Sequence, residues 1–170
     1  MSLPDLNKLR IGHGYDVHRF ADRFDPAKPL ILAGVKLPVE MSLMAHSDGD
    51  LVLHALADAV LGAAAEGDIG KLFPDSDASL AGISSAIILQ TALEKAQKKG
   101  LKPINLDLTV VAQAPKISPH AEAMRESLAA LTGLTAAGIN LKATTTEGMG
   151  WLGREEGMAC HAVVLMGPDV

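Results

Sequence analysis

The stretch AHSDGDLVLHALADAVLGAAAEGDIG, residues Ala45 to Gly70, decides how the rest of this chain must fold. Residues Leu51 to Ala65 contain hardly a polar side chain, which predicts a helix that is buried on nearly all sides. Ser47 and Asp48 precede it, and both are good N-cap residues, so we expect the helix to begin close to Gly49. The sequence therefore predicts a fold organised around a central buried helix.

This central helix nevertheless carries two ionisable side chains, His54 and Asp58, which lie four residues apart. At this spacing both project from one helix face. Each needs a polar partner, because an unpaired polar group is costly to bury. From the helix alone, a core histidine with a satisfied hydrogen bond and a functional site are both open interpretations.

Composition limits the class of protein. The chain has 170 residues, of which 48% are hydrophobic and 3% aromatic, which fits one domain with an aliphatic core. The net charge is −5 and no run of Lys or Arg exceeds two, which argues against a nucleic-acid or membrane-surface binder. The single Cys160 excludes an internal disulfide and fits a reducing compartment.

No apolar stretch approaches the length of a transmembrane span, and the residues before the first strand-like segment hold no signal core. We therefore expect a cytoplasmic protein with one domain over residues 1–170. Within it, residues 1–8 are expected to form a disordered N-terminal extension.

The segment LRIGHGYDVHRF, residues Leu9 to Phe20, predicts a strand. Alternation divides its side chains between two faces, with Gly12, Gly14, Asp16 and His18 on one and Ile11, His13, Tyr15 and Val17 on the other. We expect the glycines to leave open space beside Asp16 and His18. Together with His54 these residues make one carboxylate and two imidazoles, the usual ligand count for a catalytic zinc with its fourth position free. The sequence spacing does not show that the segments meet, so a chance Asp-x-His pair stays an alternative.

Hydrophobic periodicity and turn residues predict the remaining elements. In chain order they are two short strands around Gly34 within Leu30–Pro38, an acidic surface loop at Lys71–Asp77, a helix over Gly82–Lys99, a strand over Asn105–Ala112, a helix from Ser118 to about Leu131, a strand over Ile139–Glu147, a flexible loop over Gly148–Arg154 and a closing strand over Gly157–Met166. The closing strand is almost continuously apolar, which indicates cover on both faces, by helices and by another subunit.

Two further segments have the residue types of a binding site. Ser118 and Pro119 are typical of a helix start, and Lys116 lies just before them, so the free N–H groups would suit a phosphate. Thr145 and Glu147 would face together at the end of their strand. An ordinary strand-to-helix turn and simple β propensity explain the same residues.

Four blocks of sequence, RIGHGYDVHRF, AHSDGDLVLHALADAVLGAAAEGDIGKLFPDSD, AQAPKISPH and KATTTEGMGWLGREEG, follow one another between Arg10 and Gly157. In order and spacing they resemble the 2-C-methyl-D-erythritol 2,4-cyclodiphosphate synthases of the non-mevalonate isoprenoid pathway. The resemblance implies an α+β fold with a mixed β-sheet and helices packed on one face. It also implies a homotrimer in which the sheets face the centre and each site is shared by neighbouring subunits.

The resemblance further implies two metal sites. Zinc, or another divalent transition metal, would bind Asp16, His18 and His54, and magnesium or manganese would bind Glu147 with the substrate diphosphate. His46 and Thr145 would be catalytic, donating hydrogen bonds to the developing charge. The implied substrate contacts are Asp16, Val17, His18, His46, Ser47, Asp68, Ile69, Gly70, Phe73, Pro74, Asp75, Ser76, Asp77, Ala112, Gln113, Ala114, Pro115, Lys116, Ile117, Ser118, Thr144, Thr145, Thr146, Glu147, Trp151 and Arg154.

The implied reaction is the conversion of 4-diphosphocytidyl-2-C-methyl-D-erythritol 2-phosphate to the cyclic diphosphate and CMP. The 2-phosphate attacks the β-phosphorus, so no protein nucleophile is needed, and catalysis is positioning plus charge neutralisation. Two positions depart from the resemblance, with Trp151 where Phe is usual and His161 where some relatives have an acid. Both belong near the trimer axis, where some members hold an isoprenoid diphosphate, so that ligand stays open here.

Two other functions agree with the same residues. In a zinc-dependent phosphodiesterase, water would take the place of the 2-phosphate and the products would be linear. A trimeric carrier or sensor of isoprenoid diphosphates would use the metal only for structure and would release no CMP.

Overall fold

The chain folds into a four-stranded mixed β-sheet with its helices on one face, in a computed structural model that describes residues 6–74 and 78–169. The strands are β1 (Arg10–Arg19), β2 (Ile31–Leu32), β3 (Val35–Lys36), β4 (Leu101–Val111), β5 (Ile139–Thr144) and β6 (Gly157–Pro168). The α-helices are α1 (Leu51–Ala63), α2 (Ile69–Leu72), α3 (Ser85–Lys98), α4 (Ala121–Thr132) and α5 (Gly150–Gly153). Short 3-10 helices cover Leu6–Lys8, Ala78–Leu80, Ser118–His120 and Ala136–Gly138.

The strand order in the main sheet is β1-β6-β4-β5. β6 runs antiparallel to both of its neighbours, whereas β4 and β5 are parallel. β2 and β3 form a separate hairpin, as the sequence predicted around Gly34. The mixed sheet with helices on one face is therefore confirmed.

Helix α1 is the centre of the core, and nearly all of its side chains are buried, as predicted. Its first residue is Leu51, close to Gly49 as predicted, but its N-cap is Asp50 and not Ser47 or Asp48. Asp50 Oδ1 accepts hydrogen bonds from Leu53 N at 3.1 Å and Ala33 N at 2.8 Å. Oδ2 accepts one from the β2–β3 turn at 2.6 Å. Asp50 is the N-cap of α1 because its carboxylate also accepts hydrogen bonds from the β2–β3 hairpin and so joins the hairpin to the helix.

The glycines of β1 bring the strand and α1 into backbone contact. A Cβ atom on Gly12 would lie 1.8 Å from Ala59 O, and one on Gly14 would lie 1.9 Å from Ala55 O. The helix therefore fills the space beside the two glycines, whereas Asp16 and His18 border a cavity. This close approach puts the face of β1 that carries Asp16 and His18 directly against α1.

Several predicted boundaries differ from the structure. Ser118 and Pro119 lie in a 3-10 turn and α4 begins only at Ala121, because a helix often tightens at its N-terminus. β5 ends at Thr144, opposite the last residue of β4, which is its one partner strand among the described residues. Thr145 and Glu147 are thus outside the strand.

Other segments expected to be irregular are partly regular. The predicted flexible loop Gly148–Arg154 contains α5. Leu6–Lys8 forms a 3-10 helix, while residues 1–5 lie outside the described residues, and the disorder expected over residues 1–8 stays a prediction. Helix α3 begins at Ser85 with Ser84 as its cap and buries Ile88 and Leu89.

The sheet face that points away from the helices is open in the single chain. Ile11, Tyr15 and Val17 on β1 are 74%, 47% and 42% exposed, respectively. β6 also exposes His161 on this face, so the cover expected on both faces of β6 is not provided by the described part of this chain. No helix of that part is long and apolar enough to cross a membrane.

Candidate active site

Three side chains that could bind a metal come together where β1 faces α1. Asp16 and His18 project from β1, and His54 projects from the start of α1. His18 Nε2 lies 3.2 Å from His54 Nδ1, and Asp16 Oδ2 lies 3.1 Å from each of these nitrogen atoms. Two imidazoles and a carboxylate at such distances suit a divalent transition metal. The predicted ligand cluster is therefore confirmed.

Asp16 supplies the negative charge of this cluster. Burial raises its pKa, but hydrogen bonds from His18 and His54 and the charges of these residues together outweigh burial and lower the pKa to about 2. The carboxyl group is consequently ionised at neutral pH, which is the form that binds a metal.

On the Nε2 side of its ring, away from Asp16 and His18, His54 contacts a serine that was not predicted from the sequence. Ser85 is fully buried, and its Oγ lies 2.8 Å from His54 Nε2. The same hydroxyl donates to Asp48 Oδ1, and Ser85 N donates to Asp48 Oδ2 at 3.0 Å. Because a hydroxyl has one proton, Ser85 must accept its other hydrogen bond from Nε2–H of His54. Nε2 of His54 thus keeps its proton toward Ser85, and Nδ1, which donates to Asp16 Oδ2 at 3.1 Å, is the nitrogen from which a metal would displace the proton.

Asp48 therefore acts as the partner of Ser85 and not as the cap of α1. The sequence indicates the Ser85–Asp48 pairing only by the position of Ser85 next to the N-cap of α3. A serine at a helix start is too common to predict such a contact. Ser47 gives His54 a second neighbour, with its Oγ 3.2 Å from Nε2.

Asp58, one helical turn after His54, fixes the segment that follows α1. Its Oδ1 accepts a hydrogen bond from Ile69 N at 2.7 Å, and burial raises its pKa. Asp68 Oδ1 accepts from Lys71 N at 2.9 Å and caps α2. These two carboxylates set the position of Ile69 and the adjoining glycine at the rim of the site.

The metal-binding cluster opens into a cavity with a volume of about 400 Å³. The predicted site residues that line it are Asp16, His18, His46, Ser47, His54, Ile69, Gly70, Phe73 and Pro74. Apolar side chains complete the walls, namely Met44, Ala45, Leu80, Ala81, Ile83 and Ile88. The cavity thus combines metal ligands with His46 and with a largely apolar surround.

The remaining predicted residues of this group lie elsewhere. Val17 points to the opposite face of the sheet from its neighbour Asp16 and is 42% exposed. Three more predicted residues, Asp75, Ser76 and Asp77, lie outside the described residues, and their role stays a prediction.

A second group of predicted residues gathers where β4 and β5 end. Ala112 N donates to Thr144 O at 3.0 Å, which ties the segment Ala112–Ser118 to the end of β5. Beyond it, Thr145 Oγ1 donates to Glu147 Oε1 at 3.1 Å and accepts from Glu147 N at 3.2 Å. Both side chains are exposed, and Glu147 has a φ of 53°, in the left-handed region.

The third threonine and the loop after it complete this group. Thr146 Oγ1 donates to Met149 O at 2.7 Å and orders the turn before α5. Trp151 lies within α5 and is 36% exposed. Arg154 follows it, and its Nε donates to Glu156 Oε1 at 2.7 Å.

The two groups lie at opposite edges of the sheet within one chain. Asp16 pairs with Cys160 on β6, which pairs with Val110 on β4, which pairs with Ala143 on β5. Three strand spacings make about 14 Å between the edges. None of the described residues Ala112–Ser118 or Thr144–Glu147 lines the metal-site cavity.

Comparison with known proteins supports the sequence resemblance. A profile of the YgbB family matches residues 9–167. A protein of Shewanella sp. (strain ANA-3) named 2-C-methyl-D-erythritol 2,4-cyclodiphosphate synthase is 55% identical over 159 residues, which cover 94% of this chain and 98% of the relative. A protein of Idiomarina loihiensis with the same name is also 55% identical, with the same coverage.

Solved structures share the fold. The bifunctional IspDF from Campylobacter jejuni is 43% identical with a TM-score of 0.88, and the match covers 94% of this chain and 42% of that longer one. The CDP complex of IspF from Plasmodium falciparum is 34% identical with a TM-score of 0.83, over 98% of this chain and all of the other. By sequence and by fold, this chain belongs to the YgbB family.

Proposed function

We propose that this chain is a metal-dependent 2-C-methyl-D-erythritol 2,4-cyclodiphosphate synthase. It would convert 4-diphosphocytidyl-2-C-methyl-D-erythritol 2-phosphate to the cyclic diphosphate with release of CMP. The observation that carries the proposal is the Asp16–His18–His54 cluster, with His54 Nε2 bonded to Ser85 and Nδ1 facing the other two ligands, at the wall of the cavity that also contains His46.

The cavity residues have separate tasks in this proposal. A divalent transition metal on the cluster, with zinc the best match to its ligands, supplies Lewis acidity at a phosphate oxygen. His46, exposed on the cavity wall, donates a hydrogen bond to phosphate oxygens as their charge develops. Asp58 positions the start of α2, where Asp68 to Gly70 contact the erythritol hydroxyls. The apolar walls exclude water, which would otherwise compete with the 2-phosphate as nucleophile.

The second group completes the site from the cytidine side. Segment Ala112–Ser118 would bind cytidine, and Glu147 would bind magnesium or manganese together with the diphosphate. The Thr145 hydroxyl donates to Glu147 in the single chain, and with substrate bound it would turn this one proton to the diphosphate oxygens. Gln113 Oε1 is buried without a hydrogen-bond partner among the described residues, as expected where a ligand or a neighbouring chain supplies the donor.

A homotrimer joins the two groups, and this is part of the proposal. The metal cluster and Glu147 lie at opposite edges of one sheet, so a single chain does not bring them into one cavity. A ring of three chains would place the metal edge of one subunit beside the Glu147 edge of the next. It would also cover the apolar face of β1, where Ile11 and Val17 are exposed.

Two finer expectations from the sequence stay predictions. One is a cytoplasmic location, which fractionation of cells with an antibody against the chain would test. The other is an isoprenoid diphosphate on the trimer axis near Trp151 and His161, which native mass spectrometry of the purified trimer would detect.

A product assay tests the proposed reaction. Purified chain is incubated with the cytidine diphosphate substrate, with and without a chelator, and the products are followed by phosphorus NMR and CMP release. The expected result is equal amounts of CMP and cyclic diphosphate, both abolished by the chelator and restored by zinc. Linear products would show a phosphodiesterase, and tight binding without CMP release would show a carrier, so either result overturns the proposal.

A further inference from the structure

The described residues that line the metal-site cavity include no lysine or arginine. They include the ionised carboxylate of Asp16, and two more carboxylates, those of Asp58 and Asp68, hold the segment at the rim. The proposed substrate carries three phosphate groups, and a divalent metal offsets only part of their negative charge. With a net charge of −5, the chain as a whole does not attract such a polyanion. A positively charged side chain at the rim would therefore favour substrate binding.

Two exposed lysines come close to this rim. Lys71 belongs to α2, but its side chain lies over Gly67, where its Cδ would be 3.5 Å from an added Cβ atom. Gly67 does not line the cavity. Lys28 contacts the cavity wall itself, because its Nζ donates to Ala45 O at 3.4 Å and Ala45 lines the cavity next to His46. Of the two lysines, Lys28 is thus the one placed to reach a ligand beside His46.

The backbone of Lys28 is held in one position. Residues 25–28 form a β-turn in which Lys28 N donates to Asp25 O at 2.9 Å. Pro29 follows directly and restricts the backbone of the residue before it. The turn is attached to the buried Ser42, whose Oγ accepts a hydrogen bond from Asp25 N at 2.9 Å. Because Ser42 belongs to the segment that leads into the cavity wall, the turn and the wall keep a fixed relative position.

The ammonium group of Lys28, in contrast, is only weakly engaged. Its one hydrogen bond within the described part of the chain, to Ala45 O, is long at 3.4 Å. None of the described carboxylates forms an ion pair with it. An ammonium group has three protons, so at least two remain for a ligand. A fixed backbone with an unpaired positive charge suits a lysine that binds phosphate.

We propose that Lys28 is a further substrate-binding residue, which contacts the phosphate group to which His46 donates. The inference rests on the proposed function and adds one residue to its substrate contacts. On binding, a phosphate oxygen takes up the free protons of the ammonium group. This phosphate is negatively charged both in the bound substrate and in the transition state, so Lys28 stabilises both to a similar extent. It therefore lowers KM and leaves kcat unchanged.

Binding of the cyclic diphosphate product tests the proposal, because this ligand has phosphate groups but no cytidine. The zinc-loaded protein is titrated calorimetrically with the cyclic diphosphate and, separately, with CMP. We expect Lys28→Gln to bind the cyclic diphosphate about 10-fold more weakly than the wild type and to bind CMP equally well. Lys28→Arg keeps the positive charge and should retain most of the affinity. Lys36→Gln is the matched control, because Lys36 is an exposed lysine of β3 that does not line the cavity.

Two further measurements separate a phosphate contact from a structural role. The affinity for the cyclic diphosphate should fall with rising ionic strength more steeply in the wild type than in Lys28→Gln. With the full substrate, Lys28→Gln should raise KM about 10-fold and leave kcat unchanged.

Equal affinities of Lys28→Gln and the wild type for the cyclic diphosphate would overturn this inference and leave the proposed function standing. An equal loss of affinity for both ligands, or a loss of bound zinc, would do the same, because either result shows a general structural role. A wild type that neither forms nor binds the cyclic diphosphate would overturn the proposed function, and this inference with it.

Discussion

Ser85 Oγ lies 2.8 Å from His54 Nε2, on the far side of the imidazole from the metal-binding cluster. The hydroxyl is fixed in turn by Asp48, to which it donates a hydrogen bond. A chain from carboxylate through serine to histidine thus decides which ring nitrogen faces Asp16 and His18. Groups that orient a metal-binding histidine in this way commonly matter for metal affinity almost as much as the ligand itself.

We therefore expect Ser85→Ala to weaken metal binding by about 10–100-fold, because His54 loses the acceptor that fixes its tautomer. Competition with a chromophoric zinc chelator measures this affinity without relying on catalysis. Ser84→Ala is the matched control, since it removes the hydroxyl that caps α3 through Ala86 N but does not touch His54. Equal zinc affinity in Ser85→Ala and the wild type would contradict the assigned role.

Thr145→Val should slow turnover more than it weakens substrate binding. Valine keeps the shape and β-branching of threonine, but it removes the hydroxyl that contacts Glu147. If the hydroxyl acts mainly in the transition state, the loss appears in kcat, at about 100-fold for one donor. Steady-state kinetics would separate the two effects, and an unchanged kcat would leave Thr145 only its structural hydrogen bonds to Glu147. Thr91→Val is a useful control, because Thr91 Oγ1 bonds within α3, to Ile87 O.

Mixed trimers test whether neighbouring chains share a site. Trimers of His54→Ala and trimers of Glu147→Ala should each be inactive, the first for lack of a metal ligand and the second for lack of the other carboxylate. Refolded together in equal parts, they should recover about a quarter of the wild-type sites, because an interface in a ring joins two different patches. Mass spectrometry confirms that mixed trimers have formed. If such trimers recover no activity, one chain supplies the whole site.

Asp50 should make stability depend on pH in an unusual direction. Burial raises its pKa from 3.8 to about 6, against the backbone hydrogen bonds from Gly34, Leu53 and Ala33 that lower it. The folded chain therefore binds the Asp50 proton more tightly than the unfolded chain does. The stabilisation from this proton is fully present below pH 3.8, the unperturbed pKa, and it is lost as the pH rises to about 6, the pKa in the folded chain. At about 1.4 kcal/mol per pKa unit, the change amounts to about 3 kcal/mol.

Urea unfolding of the wild type and of Asp50→Asn between about pH 4 and pH 7 isolates this contribution, since all other carboxyl groups titrate in both chains. Asparagine does not titrate, so the wild type should be more stable relative to the variant at pH 4 than at pH 7. The difference in unfolding free energy should shrink as the pH rises. Curves that stay parallel over this range would refute the raised pKa.

The sequence by itself determined the elements whose pattern is local. The apolar run of α1 predicts a buried helix, the alternation of β1 assigns Asp16 and His18 to one face, and the four blocks of sequence carry the family. Side-chain periodicity reports which face is buried, and the ligand types on that face report the metal they suit. These inferences needed no knowledge of distant contacts.

Tertiary structure alone decided which polar groups became partners. Ser85 reaches both His54 and Asp48 only because the start of α3 packs against the start of α1. Asp50 caps α1 because the β2–β3 turn supplies two more donors. Several serines and aspartates in these segments were equally suitable by type. A buried polar group is stabilised only by the partner that folding places within about 3 Å of it. Ser85 is separated from His54 by 31 positions and from Asp48 by 37, and no local sequence pattern indicates such distant contacts.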